Sequence, residues 1–435
     1  PYFPGVWGHK PYSADLILQT LYHSTNGIWG TMISISAGML AMFGIFGAML
    51  SETGGAGTFV KQGQKLTGKT LGGQGKVALI ASGLFGMISG SAMANVVGTG
   101  TFTIPLMKKS GYNNEWAAAI SAVGSTGGTI MPPMMGAGAF IMAQLLGVSY
   151  LEIAKAALIP ALLYYVGAYI AVHYISKKDN IRGEAVTEKI DKAEYLVIFT
   201  PIAFFLYYLL QGYTATMAAF YATVAGFVVA LLFKVFKSEK KSEAPKICIN
   251  LFTDVSVSAG KSIVNMATLM AGSQITICLI SLTGFGVKLS SVIVQIGQDN
   301  LFLCLVLTML VCIVLGMGLP ATAAYVLSAA ILAPVLTTLG VPILVAHLFI
   351  FYFAGFSTIT PPVCAAVYLS SGLAKSNWFK TGILSCMIAL PAFIVPYTFI
   401  YDTSLLMMGS INAVAIAVIT AFLGVWAIGA GVAGY

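Results

Sequence analysis

Charge is what this sequence has least of. Only 8% of its 435 residues are charged, 14 are acidic, and Arg182 is the sole arginine. A soluble core of this composition would have too little polar surface to cover it. The chain therefore reads as an all-α polytopic membrane protein, solvated by lipid and by itself. The six cysteines stand singly with no CxxC or other metal-ligand spacing, which leaves them as small apolar packing residues. There is no HExxH, no GxSxG elbow and no pair of intramembrane carboxylates, so nothing supplies a nucleophile with its base and an enzyme is excluded. The formal charge of +8 does not point to nucleic acid, because the basic residues gather in connecting loops, where they report membrane orientation. One basic stretch, Gly63 through Gly68, Lys69 and Thr70, matches the phosphate-loop pattern in letters only. An apolar helix precedes it instead of a strand, so it is read as a solvated basic loop. The chain opens at Pro1 with neither Met nor a basic region ahead of an apolar core. No signal peptide is expected there, and a longer product upstream is.

What is present is an apolar stretch that breaks its own helices. Ile88 to Pro133 is interrupted at Ser89-Gly90-Ser91, at Ser125-Thr126-Gly127-Gly128 and at Pro132-Pro133. Backbone that leaves its helix at membrane depth is tolerated only where protein covers it or where it lines a cavity. The stretch has a second copy. Pro105 falls on Pro334, and 334 − 105 = 229; the same ungapped shift lays Ala92 on Ala321, Ala94 on Ala323, Gly111 on Gly340, and Thr129-Ile130-x-Pro132-Pro133 on Thr358-Ile359-x-Pro361-Pro362. Paired interruptions in corresponding halves point to a transport site at a repeat interface.

Taken in order, a first spanning helix is expected over about 28–52, then a hairpin whose arms cover about 77–90 and 92–107. Each arm is too short for about 30 Å of hydrocarbon at about 1.5 Å per residue, so the pair reads as re-entrant. A crossing broken near its middle follows over 114–147, then helices over about 150–175, 195–211, 215–233 and 263–283. Basic loops at 176–193 and 234–250 are separated by two helices, so both lie on one side, the cytoplasm by the positive-inside bias. An amphipathic arm (285–300), a second hairpin broken at Gly316–Pro320, a second broken crossing (342–372) and two final helices (381–400 and 409–431) complete the chain. Four crossings separate the two broken helices, so the second copy runs inverted and the hairpin tips can meet near the midplane.

No Asp, Glu, Lys or Arg occurs in 77–107, 116–151 or 301–374. Proton-coupled carriers place titratable groups inside the membrane, and these segments offer His347, read as a packed or hydrogen-bonded helix residue. Na⁺ can instead be held by the carbonyls and hydroxyls that helix breaks expose. Carbonyls of Gly127, Ile130 and Pro132 with hydroxyls of Ser89 or Ser91 form one candidate set; Gly355, Thr358 and Pro361 with Gly318 and Thr322 form the other. The helix starts near Ala92 and Ala321 would face an anionic substrate, with Ser91, Asn95, Ser125, Thr126, Thr322 and Ser357 as its polar contacts. A channel is the rival reading. Prolines in paired full-length helices and amphipathic arms favour a carrier.

At SGSAMANVVGTGTFTIPLMKKSGY, STGGTIMPPMMGAGAFIM, GMGLPATAAYVLSAAILAPVL and FSTITPPVCAAVYLSSGLA the chain resembles the large membrane subunit of tripartite ATP-independent periplasmic (TRAP) transporters, over nearly its whole length. It is most similar to the branch in which a four-helix small subunit is fused ahead of the large one. The resemblance implies an inverted-repeat, elevator-type, Na⁺-driven importer in a bacterial or archaeal inner membrane, fed by a periplasmic binding protein. Proton coupling in the same fold is the alternative. It also implies sodium sites on Ser91, Gly127, Ile130 and Pro132, and on Gly318, Gly355 and Thr358. The implied division is an N-terminal segment with first scaffold helix and arm (1–76), a first transport repeat (77–147), scaffold helices (148–283), an arm with the second transport repeat (284–375) and C-terminal scaffold helices (376–435). Sugar-acid carriers of the family are similar in layout but use an arginine near the substrate. Arg182 lies in a cytoplasmic loop, so C4 or C5 dicarboxylates or related organic anions are expected.

Overall fold

Every regular element among the described residues is helical, as lipid demands: with no water to pair with, N–H and C=O groups must bond within their own segment. A computed structural model describes residues 5, 8–183, 192–238, 244–297 and 300–434. Eight of its helices are long and apolar enough to cross a membrane: Thr31–Glu52, Tyr150–Lys178, Ala193–Leu210, Ala215–Lys237, Ala244–Thr283, Ala321–Thr338, Trp378–Tyr401 and Ile411–Val432. The short amphipathic helix Phe285–Gly297 stands where the arm is expected; of the arm's remaining residues Gln298 and Asp299 lie outside the described residues, and Asn300 caps the next helix.

Three sequence expectations change. The segment 53–76 is not a solvated loop: Gly55–Thr67 is a helix whose Thr58, Phe59, Val60, Gly63 and Thr67 are buried along one side. The phosphate-loop letters thus sit on a helix and the turn after it. Lys76 is itself buried, with Nζ 3.1 Å from His173 Nδ1 and stacked over the Tyr169 ring. Second, the helix Asn114–Gly128 runs unbroken through Ser125-Thr126-Gly127-Gly128, so the interruption of this crossing is confined to 129–135. Third, the helix expected from about 263 begins at Ala244 and runs 40 residues to Thr283, about 60 Å at the standard rise. Lys246, Asp254 and Lys261 hide its first half from an apolar search. The buried Leu251, Val255 and Ala259 at four-residue spacing show why it is helical: one stripe is buried against protein while Lys246, Asp254 and Lys261 stay exposed. Of the basic-loop residues, Lys189, Lys240 and Lys241 lie outside the described residues.

This long helix runs antiparallel to Thr31–Glu52. Ser262 and Ile263 face Gly44, while Gln274 reaches the turn before Thr31, donating to the Asn26 carbonyl at 2.9 Å and accepting from Met32 N–H at 3.4 Å. Gln274 is buried, and its replacement by alanine would leave both backbone groups unpaired. Gln274→Ala is expected to cost about 1–3 kcal/mol, read as a lowered unfolding midpoint of the detergent-purified protein.

Candidate functional site

The first hairpin turns because of two adjacent residues. Gly90, at φ 58°, ends the helix Gly73–Ser89 in the left-handed region, and Ser91 caps the next helix by accepting from Ala94 N–H at 3.3 Å. The returning arm runs through Ala92–Asn95, a π turn Val96–Gly100 and Thr101–Lys109. Ser82 and Thr99 join the arms hydroxyl to hydroxyl at 2.9 Å. Asn95, expected to reach substrate, is fully buried; its amide donates to the Ser82 carbonyl at 2.7 Å and accepts from Thr99 at 3.1 Å. It is a clamp between arms. The second hairpin joins Leu301–Leu315 to Ala321–Thr338 through Gly318 at φ 75°, with Pro320 as an N-cap that offers no side-chain bond.

Each hairpin tip rests on a broken helix. The first is Asn114–Gly128, an irregular 129–135, and Gly136–Leu146; the second is Ile343–Phe356, an irregular 357–364, and Ala365–Ala374. Pro132-Pro133 and Pro361-Pro362, which lie in these interruptions, are both cis. Backbone meets backbone at the first tip: a Cβ on Gly86 would stand 2.3 Å from Gly128 Cα, and one on Gly90 would stand 2.1 Å from Gly136 Cα. At the second, Ser357 donates to the Gly316 carbonyl at 3.1 Å. Ser357 is the repeat mate of Gly128, since 357 − 128 = 229.

The interruptions also meet each other. Thr126 and Thr358 hydroxyls are 3.0 Å apart, and a Cβ on Gly355 would lie 3.5 Å from Thr129 Oγ1. Because 126 + 229 = 355 and 129 + 229 = 358, these are one contact made twice with its partners exchanged, the signature of a two-fold relation.

In front of this junction lies a cavity of about 320 Å³ whose walls include Ser89 and Ser91 from the first tip, Thr322 from the second, Thr358 from the second break, and Lys261 and Asn265 from the long helix. Four of the expected residues, Ser89, Ser91, Thr322 and Thr358, thus converge there, and the Ser89 hydroxyl oxygen is buried without a partner among the described residues. The others stand behind the wall. Gly127 packs on the Tyr164 ring, Pro361 lies against Gly382, and Ile130, Pro132, Ser125, Thr126, Gly355 and Ser357 are buried. Gly318 shapes the second turn. Lys261 and Asn265 were not found from sequence; the available signal was a single lysine ahead of a long apolar run, taken there as lying outside the span.

The donors suit a hard monovalent cation. In the first break the Ile130 and Pro132 carbonyls accept no hydrogen bond from a described residue, beside the orphaned Ser89 hydroxyl. In the second, the Pro361 carbonyl is free in the same sense, while the Thr358 carbonyl accepts from Ala366 N–H at 3.0 Å and keeps its second lone pair. No group of three or more His, Cys, Asp or Glu is placed to hold a metal among the described residues, so a soft or multivalent ion has no counterpart here.

Residues 13–428 match the family model described as "Tripartite ATP-independent periplasmic transporter, DctM component". The 2,3-diketo-L-gulonate TRAP transporter large permease protein YiaN of Escherichia coli (strain K12) is 22% identical over 92% of this chain and 91% of its own length. The C4-dicarboxylate TRAP transporter large permease protein DctM of Pseudomonas aeruginosa is 22% identical over 84% of each chain. The isethionate TRAP transporter permease protein DctMQ of Oleidesulfovibrio alaskensis is 24% identical over 74% of this chain and 50% of its own length.

The tip-to-break contact is open to test. Gly90→Ala places a methyl group on backbone at a positive φ and is expected to cost about 2–4 kcal/mol. Gly57→Ala, where a Cβ meets nothing within 4 Å, should leave the unfolding midpoint unchanged or slightly raised. Equal shifts in the two variants would show that the contact is not needed.

Proposed function

The chain belongs to the DctM component family of tripartite ATP-independent periplasmic transporters, and from that premise we propose that it imports a small organic anion by sodium-coupled elevator movement. It is a multi-pass membrane transport protein and not an enzyme. The two hairpins would be re-entrant, inverted with respect to each other, and would move with the two broken helices (77–147 and 284–375) against the remaining helices. The observation that carries this reading is the two-fold junction of the breaks, Thr126 with Thr358 and Thr129 with Gly355, with a cavity at the hairpin tips in front of it, mainly apolar but carrying the hydroxyls of Ser89, Ser91, Thr322 and Thr358. A continuous pore would not need paired interruptions in register.

Sodium would sit on the two donor sets, Ser89, Ser91, Gly127, Ile130 and Pro132 in one, and Gly318, Thr322, Thr358 and Pro361 in the other; Gly355, expected in the second set, has its carbonyl taken by the Thr358 N–H at 3.1 Å and hydroxyl at 2.8 Å and shapes the site instead. The anion would take Ser91 and Thr322 as polar contacts, with the uncapped helix start at Ala321 adding N–H groups. The relatives' names carry a sugar acid, a dicarboxylate and isethionate; a C4 or C5 dicarboxylate or related organic anion is the reading for this chain. A periplasmic binding protein would deliver it, and a small membrane subunit would complete the complex, as a separate or fused chain. The membrane is then the inner membrane, with 176–193 and 234–250 on the cytoplasmic side.

The test is the unfolding midpoint of the detergent-purified complex in NaCl against equimolar KCl, with uptake of succinate and its homologues into proteoliposomes under a sodium gradient. At a Na⁺ concentration ten times Kd, each site stabilises by about 1.4 kcal/mol, and Ser91→Ala or Thr358→Ala is expected to remove the share of its own site, the double variant the whole shift. One observation favours a second reading: His347 Nδ1 lies 2.8 Å from the Tyr325 hydroxyl, between the second hairpin and the second broken helix. A midpoint blind to Na⁺ but sensitive to pH in a His347-dependent way would replace sodium with proton coupling.

A further inference from the structure

Lys261 lies in the wall of the cavity at the hairpin tips, on a helix that belongs to neither hairpin. Its depth follows from the neighbouring helix. Ser262 and Ile263 face Gly44 of Thr31–Glu52, and 52 − 44 = 8 residues puts that level about 12 Å in from the helix end at the standard rise. An ammonium so far inside a spanning pair is costly unless water or a counter-ion meets it. Lys261 is exposed, and it makes no ion pair or hydrogen bond with a described residue. Among the described residues no carboxylate lines the cavity. The space therefore holds one fixed positive charge, the Ser89 and Ser91 hydroxyls and the uncapped start of Ala321–Thr338, with no negative group to balance them.

We infer that Lys261 supplies the countercharge for the anionic group, carboxylate or sulfonate, of the transported organic ion. The inference rests on the carrier reading and deepens it. The fold's sole arginine is elsewhere, and an ammonium serves in its place with a difference: it is a point charge on a flexible stem, tolerant of acid groups of different shape, where a guanidinium fork selects a planar bidentate partner. Its place outside the hairpins matters too. When the tips move past the long helix, the countercharge stays behind and the anion is released from it.

The charge of the cavity is measurable without knowing the cargo. In the purified permease complex carrying Cys248→Ser and Cys386→Ser, which removes the two cysteines that are not fully buried, Asn265→Cys places a reporter thiol one turn from Lys261 on the same wall. Its reaction rates with an anionic sulfonatoethyl and a cationic trimethylammonioethyl methanethiosulfonate are compared. The anionic-to-cationic ratio is expected to fall about fivefold or more in Lys261→Gln, from the Coulomb energy of a unit charge at this range, and to persist in Lys261→Arg. A ratio that ignores Lys261→Gln means the ammonium snorkels away from the cavity, and overturns the inference. For the anion that the wild-type complex takes up, Lys261→Gln should raise KM at least about tenfold with Lys261→Arg close to wild type; an unchanged KM also overturns it. A wild-type complex that takes up no organic anion while the thiol ratio still depends on Lys261 would instead sink the carrier reading, so the two failures are told apart.

Discussion

The hydrocarbon interior offers a peptide group no partner, so every interruption of a helix within a membrane-embedded fold creates N–H and C=O groups that the rest of the protein must satisfy. Two such interruptions, 129–135 and 357–364, stand at the centre of this chain, and much of the surrounding structure answers them. Tyr164 and Tyr165 from the helix behind donate to the Val123 and Gly124 carbonyls at 2.7 Å each, Tyr150 donates to the Pro133 carbonyl, and Thr129 turns back onto the Thr126 carbonyl at 2.8 Å. In the second copy Thr358 turns back onto the Gly355 carbonyl at 2.8 Å. The carbonyls of Ile130, Pro132 and Pro361 are among those that no donor of a described residue takes.

The same constraint explains the small residues. Hydroxyls and free carbonyls act together only if the hairpin tip lies directly on the break, and that requires backbones at contact distance. Glycine at 86, 90, 128 and 136 makes it possible. The foot of the first hairpin is tied as well: Lys108 Nζ donates to the Ala374 carbonyl at 3.0 Å, and Asn114 donates to the Lys375 carbonyl at 3.2 Å, joining the first copy to the end of the second broken helix. The two copies are thus linked at the break junction and at this end, as parts that move as a body would need to be.

Much of the architecture was legible in the letters. The duplication of the hairpins and of the interrupted helices follows from one ungapped shift that matches glycines and prolines, the residues with the narrowest backbone roles, and the inverted relation from the count of helices between the copies. What misled was local. Ser125-Thr126-Gly127-Gly128 looks like a helix breaker, yet its helix holds because the Tyr164 and Tyr165 rings pack beside Gly127. Asn95 looks like a substrate contact by its place near a helix start, yet Ser82, Thr99 and Ser125 take up its amide. The charged first half of Ala244–Thr283 escapes the sequence, which shows a basic loop to 250 and a span only from about 263, because an apolar window cannot register a helix with a single buried stripe.

The sequence by itself therefore determined that this is a helical membrane protein with duplicated, interrupted segments and an intramembrane region without acidic groups, because composition and the spacing of helix breakers need no third dimension. Only the tertiary structure decided which polar groups remain free. A hydroxyl or carbonyl becomes a ligand only through a lone pair that no neighbour has taken, and which neighbours are at hand is decided by the packing of the helices. For the same reason Lys261 entered the site only in three dimensions: its sequence neighbourhood says loop, and its spatial neighbourhood is the cavity between the two copies.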